Sequence, residues 1–86
     1  MPEMLLVVED DHVQQRIMET LLTKKLHYRV MSASNGKEAL SRIQTSNMGD
    51  ISAVLLDIHM PEMDGFETLE AIRKYRPDLP VLMLTS

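Results

Sequence analysis

The chain has 86 residues, a net charge of −4, no cysteine, no tryptophan, one phenylalanine and two tyrosines. That length suits one small domain, residues 1–86. The missing cysteines exclude disulfides and thiolate zinc sites and suit a reducing cytoplasm. The acidic balance excludes a basic nucleic-acid footprint, and so few aromatic residues exclude a stacking platform for single strands. No apolar run approaches the roughly 20 residues needed to span a bilayer, so no membrane segment is expected. The start, Met1-Pro2-Glu3, lacks the basic region of a signal peptide. The eight methionines read first as flexible core filler and second as part of a partner surface.

Met4 to Val8 is a continuous apolar run without alternation, which suits a central parallel strand covered on both faces. Asp11, with Gln14 three residues later, predicts a capped helix start. The helix that follows is expected to bury Val13, Ile17 and Leu21, with Met18 and Leu22 beside them. Lys24 and Lys25 close its last turn and complement the helix dipole. Tyr28 to Ala33 is a weaker strand; Arg29 within it points to a sheet edge. Asn35 with Glu38 opens a second helix, with Ala39, Leu40 and Ile43 inward. Thr45 to Asp50 is a polar loop. Ile51 to Leu56 is a third strand. Asp64 with Glu67 starts a third helix with Phe66, Leu69 and Ile72 as its buried stripe. The prolines of Arg76-Pro77-Asp78-Leu79-Pro80 end it. Val81 to Leu84 is a fourth strand. The alternation β-α-β-α-β-α-β predicts an α/β fold with a parallel sheet and right-handed crossovers.

Two of the apolar strands end in carboxylates. The first stops at Glu9-Asp10-Asp11 and the third at Asp57, each at the strand end where open α/β sheets bind ligands. If these strands are neighbours, several carboxylates share one crevice. Close like charges resist ionising together, and a divalent cation relieves them. Asp57 is followed by Met60-Pro61-Glu62-Met63-Asp64-Gly65, and Thr85 ends the next apolar strand.

Together these residues resemble a response-regulator receiver domain, the phosphoacceptor module of two-component signalling. The resemblance runs the length of the chain, and the MPEMDG turn after a strand-end Asp is its most specific part. It implies a flavodoxin-like, doubly wound parallel sheet with strand order 2-1-3-4. It also implies that Asp57 is the phosphoacceptor, a carboxylate nucleophile. Mg2+ would be held by Asp10 directly, by Glu9 mainly through water, by Asp57 and by the backbone carbonyl of His59. Mg2+ suits this set, being a hard ion that takes one or two carboxylates and keeps several waters. Thr85 would donate its hydroxyl to the phosphoryl group and reorient on activation. The ring of His59 either tunes access at the pocket mouth or is simply exposed. Gly65 is read as permitting an approach that a Cβ would forbid.

Receivers continue past this point with a helix, a fifth strand carrying a phosphate-pairing Lys, and a final helix. None of these is in the 86 residues, and Lys37 and Lys74 sit in the wrong elements to replace that Lys. Truncation of a longer regulator is the expected origin. Two consequences are expected: apolar surface left open on the side of the first helix, and self-association through the uncovered fourth strand. The functional reading is therefore a phosphoacceptor receiver, not an enzyme in its own right, served by a histidine kinase or phosphotransfer protein. The alternative is a truncated or degenerate receiver used for protein contact without phosphotransfer. An aspartyl phosphatase ranks lower, because His59 stands where a second carboxylate is wanted. A calcium loop fails, because Gly65 is misplaced for its tight turn.

Overall fold

The computed structural model describes residues 4–46, 50–58 and 65–84. Four parallel strands form one sheet: β1 (Met4–Val8), β2 (Arg29–Ala33), β3 (Ile51–Asp57) and β4 (Val81–Leu84). Their order is β2-β1-β3-β4, as the resemblance implied. The helices are α1 (His12–Thr20), α2 (Gly36–Thr45) and α3 (Gly65–Tyr75). Right-handed crossovers place α1 on one face of this sheet and α2 with α3 on the other.

The continuous apolar runs of residues 4–8 and 53–56 lie in the two central strands, β1 and β3. Leu6, Val8, Val54 and Leu56 are fully buried. They pack with Ala33, Ala39, Ile43, Ile51 and Ile72 into the core beneath α2 and α3. Leu79 seals this core from the turn before β4. Ile51 and Val54 share the core although three positions separate them. The β1–β3 register slips between Met4 and Leu5, so that Met4 faces Ile51 but Leu5 faces Ala53. A bulge of this kind adds one residue and resets the inward phase of the strand.

Helix starts follow the capping residues. The Asp11 carboxylate accepts from Val13 N (2.9 Å) and Gln14 N (3.3 Å). Gln14 makes no reciprocal bond among the described residues, so the first cap is Asp11 alone. At α2 both halves are present: Asn35 Oδ1 accepts from Glu38 N (2.8 Å), and Glu38 Oε1 accepts from Ser34 N (2.6 Å). The Asp64 cap lies outside the described residues.

Three expectations change. First, Val13, Ile17 and Leu21 are 67%, 50% and 49% exposed, so the apolar stripe of α1 is not buried. No element lies over it among the described residues, which matches the expected open apolar surface on that side. These residues line an open groove of about 700 Å³. Second, Phe66 is exposed. Helix α3 presents Gly65, Thr68 and Ile72 to the sheet, with Leu69 beside them, and position 66 is a third of a turn off that stripe. Third, α1 does not run as a regular helix to Lys25. Leu21–Lys25 form a π-helical turn. It ends at His27 in the left-handed region (φ 61), and Tyr28 N donates to Leu22 O at 2.9 Å. Strand β2 accordingly begins at Arg29.

Left-handed backbone disfavours a side chain with a Cβ, and glycine is the usual residue after a helix end. His27→Gly is expected to raise stability by about 0.5–1 kcal/mol, after allowing for glycine's freer unfolded chain. The urea unfolding midpoint measures this.

Candidate functional site

The site follows from strand register. Val8 on β1 is level with Leu56 on β3. One residue further, Glu9 and Asp57 stand side by side at the carboxyl ends of neighbouring strands. Glu9 N donates to Ala33 O (3.0 Å), tying the end of β1 to β2. Ile58 N donates to Leu84 O (3.2 Å), tying the end of β3 to β4.

Carboxylate oxygens of Glu9, Asp10 and Asp57 lie within 4.8 Å of one another. Asp57 is 9% exposed. Partial burial and the neighbouring Asp57 carboxyl, with a smaller contribution from Asp10, raise Glu9 from its ordinary 4.5 to about 7. One oxygen of Glu9, Oε2, is buried without a hydrogen-bond partner among the described residues. Three oxygen donors at this spacing, one of them buried and unpaired, fit a hard divalent cation. Sequence reasoning placed these three acids together, and the structure brings them together. His59 and Thr85, the other two expected site residues, lie outside the described residues. Thr85 follows directly on Leu84, which is level with Asp57 across the β3–β4 pair.

Gly65 holds the strand end that carries Asp57. A Cβ there would lie 2.5 Å from Ile58 Cα and 2.8 Å from Asp57 O. Both are backbone atoms that cannot swing aside, so a side chain would push the end of β3 out of place. Gly65 N also donates to Ile58 O at 2.8 Å. The close approach read from the sequence is therefore present, with the Asp57–Ile58 backbone as its partner. Sequence reasoning did not single out Gln15. Its side chain reaches the carbonyls of Glu9 and Ala33, and an uncharged residue in the first turns of a helix carries no signal of such a role.

A four-stranded 2-1-3-4 parallel sheet with acids gathered at its carboxyl end is a flavodoxin-like fold with an acidic site. The family model described as "Response regulator receiver domain" matches residues 5–86. The transcriptional regulatory protein ZraR of Klebsiella oxytoca is 43% identical over 95% of this chain and 18% of its own length. The probable transcriptional regulator ycf27 of Porphyra purpurea is 42% identical over 98% of this chain and 32% of its own. Among solved structures, the response regulator TrrA from Thermotoga maritima, in complex with Mg(2+)-BeF, superposes with a TM-score of 0.88 at 32% identity. The match covers 96% of this chain and 69% of that one. A receiver protein N-terminal domain from Methanoculleus marisnigri superposes with a TM-score of 0.86 at 39% identity, covering 95% and 65%. The chain belongs to the response regulator receiver domain family of two-component signalling. It spans about a fifth to a third of the curated relatives' length. No helix among the described residues is long and apolar enough to cross a membrane.

The raised Glu9 has a signed consequence for stability. Between pH 4.5 and about 7 the folded chain keeps a proton that the unfolded chain releases. Glu9 therefore contributes most to stability below that window, and the contribution is lost as pH rises through it. In chelator, Glu9→Gln is expected to gain in Tm over the unmodified chain as pH rises from about 4.5 to about 7, and to hold a constant lead above. Thermal melts of both proteins across that range measure the difference.

Proposed function

We propose that the chain is a single receiver module, residues 1–86, that accepts a phosphoryl group on Asp57 with Mg2+ present. The observation that carries this reading is the convergence of Glu9, Asp10 and Asp57 within 4.8 Å at the ends of β1 and β3. Family membership supports it. Glu9, Asp10 and Asp57 would hold the ion, together with the backbone carbonyl of His59. Bound, Mg2+ would neutralise charge on the carboxylates and on the incoming phosphoryl group. An Asp57 oxygen bonds to phosphorus as the P–N bond of a phosphohistidine donor breaks. The imidazole leaves, and an aspartyl phosphate remains. Thr85 donates its hydroxyl to a phosphoryl oxygen. The donor is a sensor histidine kinase or a phosphotransfer protein, and the chain is a switch in a reducing cytoplasm, not an enzyme acting on a separate substrate.

The same reading extends to self-association. Strand β4 ends the sheet and pairs only with β3 among the described residues. It carries no charge, and its Leu82 is 57% exposed. An apolar edge of this kind invites pairing with another strand, and a second copy of this chain supplies one.

Incubation with a small phosphodonor and Mg2+ is expected to give an acid-labile label that chelator abolishes and Asp57→Asn loses. Labelling that persists in Asp57→Asn refutes Asp57 as the acceptor. Metal binding without any label favours the alternative, a receiver kept for protein contact. Size-exclusion chromatography with light scattering is expected to show mass rising above 9.8 kDa with concentration. A clean monomer at high concentration counts against pairing through β4.

A further inference from the structure

Glu9 and Asp10 are consecutive, and the peptide plane between them governs where both carboxylates point. That plane is gripped from α1. Gln15 Nε2 donates to Glu9 O at 3.1 Å and to Ala33 O at 3.2 Å. An amide nitrogen carries two hydrogens, so one can serve each carbonyl. Glu9 O is the carbonyl of the Glu9–Asp10 peptide. With Glu9 N bonded to Ala33 O at 3.0 Å, the backbone of Glu9 is held on both sides. Gln15 is itself set by the helix start: its N–H donates to Asp11 O at 2.9 Å, and the Asp11 side chain caps the turn. Helical side chains lean toward the helix N-terminus, which brings this amide back over the strand ends.

We infer that Gln15 is a positioning residue for the acidic site. It orients the Glu9–Asp10 peptide so that both carboxylates are pre-set for a divalent cation, without touching the ion itself. This inference rests on the metal-binding reading above. The side chain suits the task because it is neutral and offers two donors. A glutamate would turn acceptor oxygens toward two carbonyls and add a fourth charge beside three acids. An apolar side chain of equal length would release the peptide. Loss of groups that orient metal-binding residues typically weakens binding by about 10–100-fold.

The test is a Mg2+ titration of the 86-residue chain followed by amide NMR shifts, with urea unfolding run alongside. Gln15→Met keeps length and removes both donors. It is expected to raise the Mg2+ Kd by about tenfold or more and to move the Asp10 amide resonance already in chelator. Gln15→Arg restores donors of similar reach. It is expected to return the Asp10 resonance toward its original position and to bind Mg2+ more tightly than Gln15→Met, although its added positive charge opposes the cation. A Gln15→Met protein with unchanged Kd and unchanged Asp10 resonance overturns the inference. So does an Asp10 resonance that is displaced equally in both variants, because a change that restored donors do not reverse is general destabilisation. If Gln15→Met does not fold, Gln15→Ala replaces it, with the same weakening expected and unchanged Kd again overturning the inference. Mg2+ binding absent from the unmodified chain overturns the metal-site reading and this inference together. Normal binding there with no effect in the variants overturns only the role of Gln15.

Discussion

The parallel pairing of β1 with β3 is the constraint on which this molecule depends. It sets Val8 level with Leu56, and the next residue on each strand is an acid. Glu9 and Asp57 are thereby forced close despite their mutual repulsion, and burial first, then the Asp57 carboxyl, raise Glu9. The strands can hold them because their apolar residues are buried. Leu6, Val8, Val54 and Leu56 are fully buried, and each such side chain contributes about 1.5–3 kcal/mol. The repulsion acts only at the strand ends and is spread over acids that keep some access to water. Burial along the strands outweighs it, and the site persists as an acidic pocket ready for a cation.

Much of the support for the pocket comes from backbone atoms. Gly65 lets α3 begin directly against the Asp57–Ile58 backbone, where a Cβ would collide. The Glu9 peptide is tied to Ala33, and the Gln15 amide bridges the same two carbonyls. These ties fix the carboxylates through the chain that carries them. Among the described residues, Glu9 Oε2 is left without a hydrogen-bond partner and so is open to a ligand.

The two faces of the sheet are unequal. Beneath α2 and α3 the core is closed, with Ala39, Ile43, Ile72 and Leu79 packed on the strands. On the α1 side, Val13, Ile17 and Leu21 stay exposed. The acids lie at the strand ends, and their spacing is set by register inside the sheet. An open helix face beside the sheet therefore does not disturb the pocket.

What the sequence by itself determined was the element order, the strand identities and the acids. Uninterrupted apolar runs of four or five residues, too short for helices and bounded by turn residues, read as buried strands, and carboxylates directly after them then stand at strand ends. Those are local facts, carried by residue type and spacing. Tertiary structure decided the rest. Helical periodicity marked the α1 stripe as apolar, but whether another element covers it is a property of the whole assembly. Phe66 belonged to an apolar pattern, yet the close approach of Gly65 to Ile58 set the phase of α3 and turned Phe66 outward. The extra residue in the β1–β3 register has no mark in the sequence, since a bulge is a mismatch between two strands. Gln15 was invisible for the same reason: its partners are carbonyl oxygens, which every residue carries, and only the packing of α1 across two strand ends chose these two.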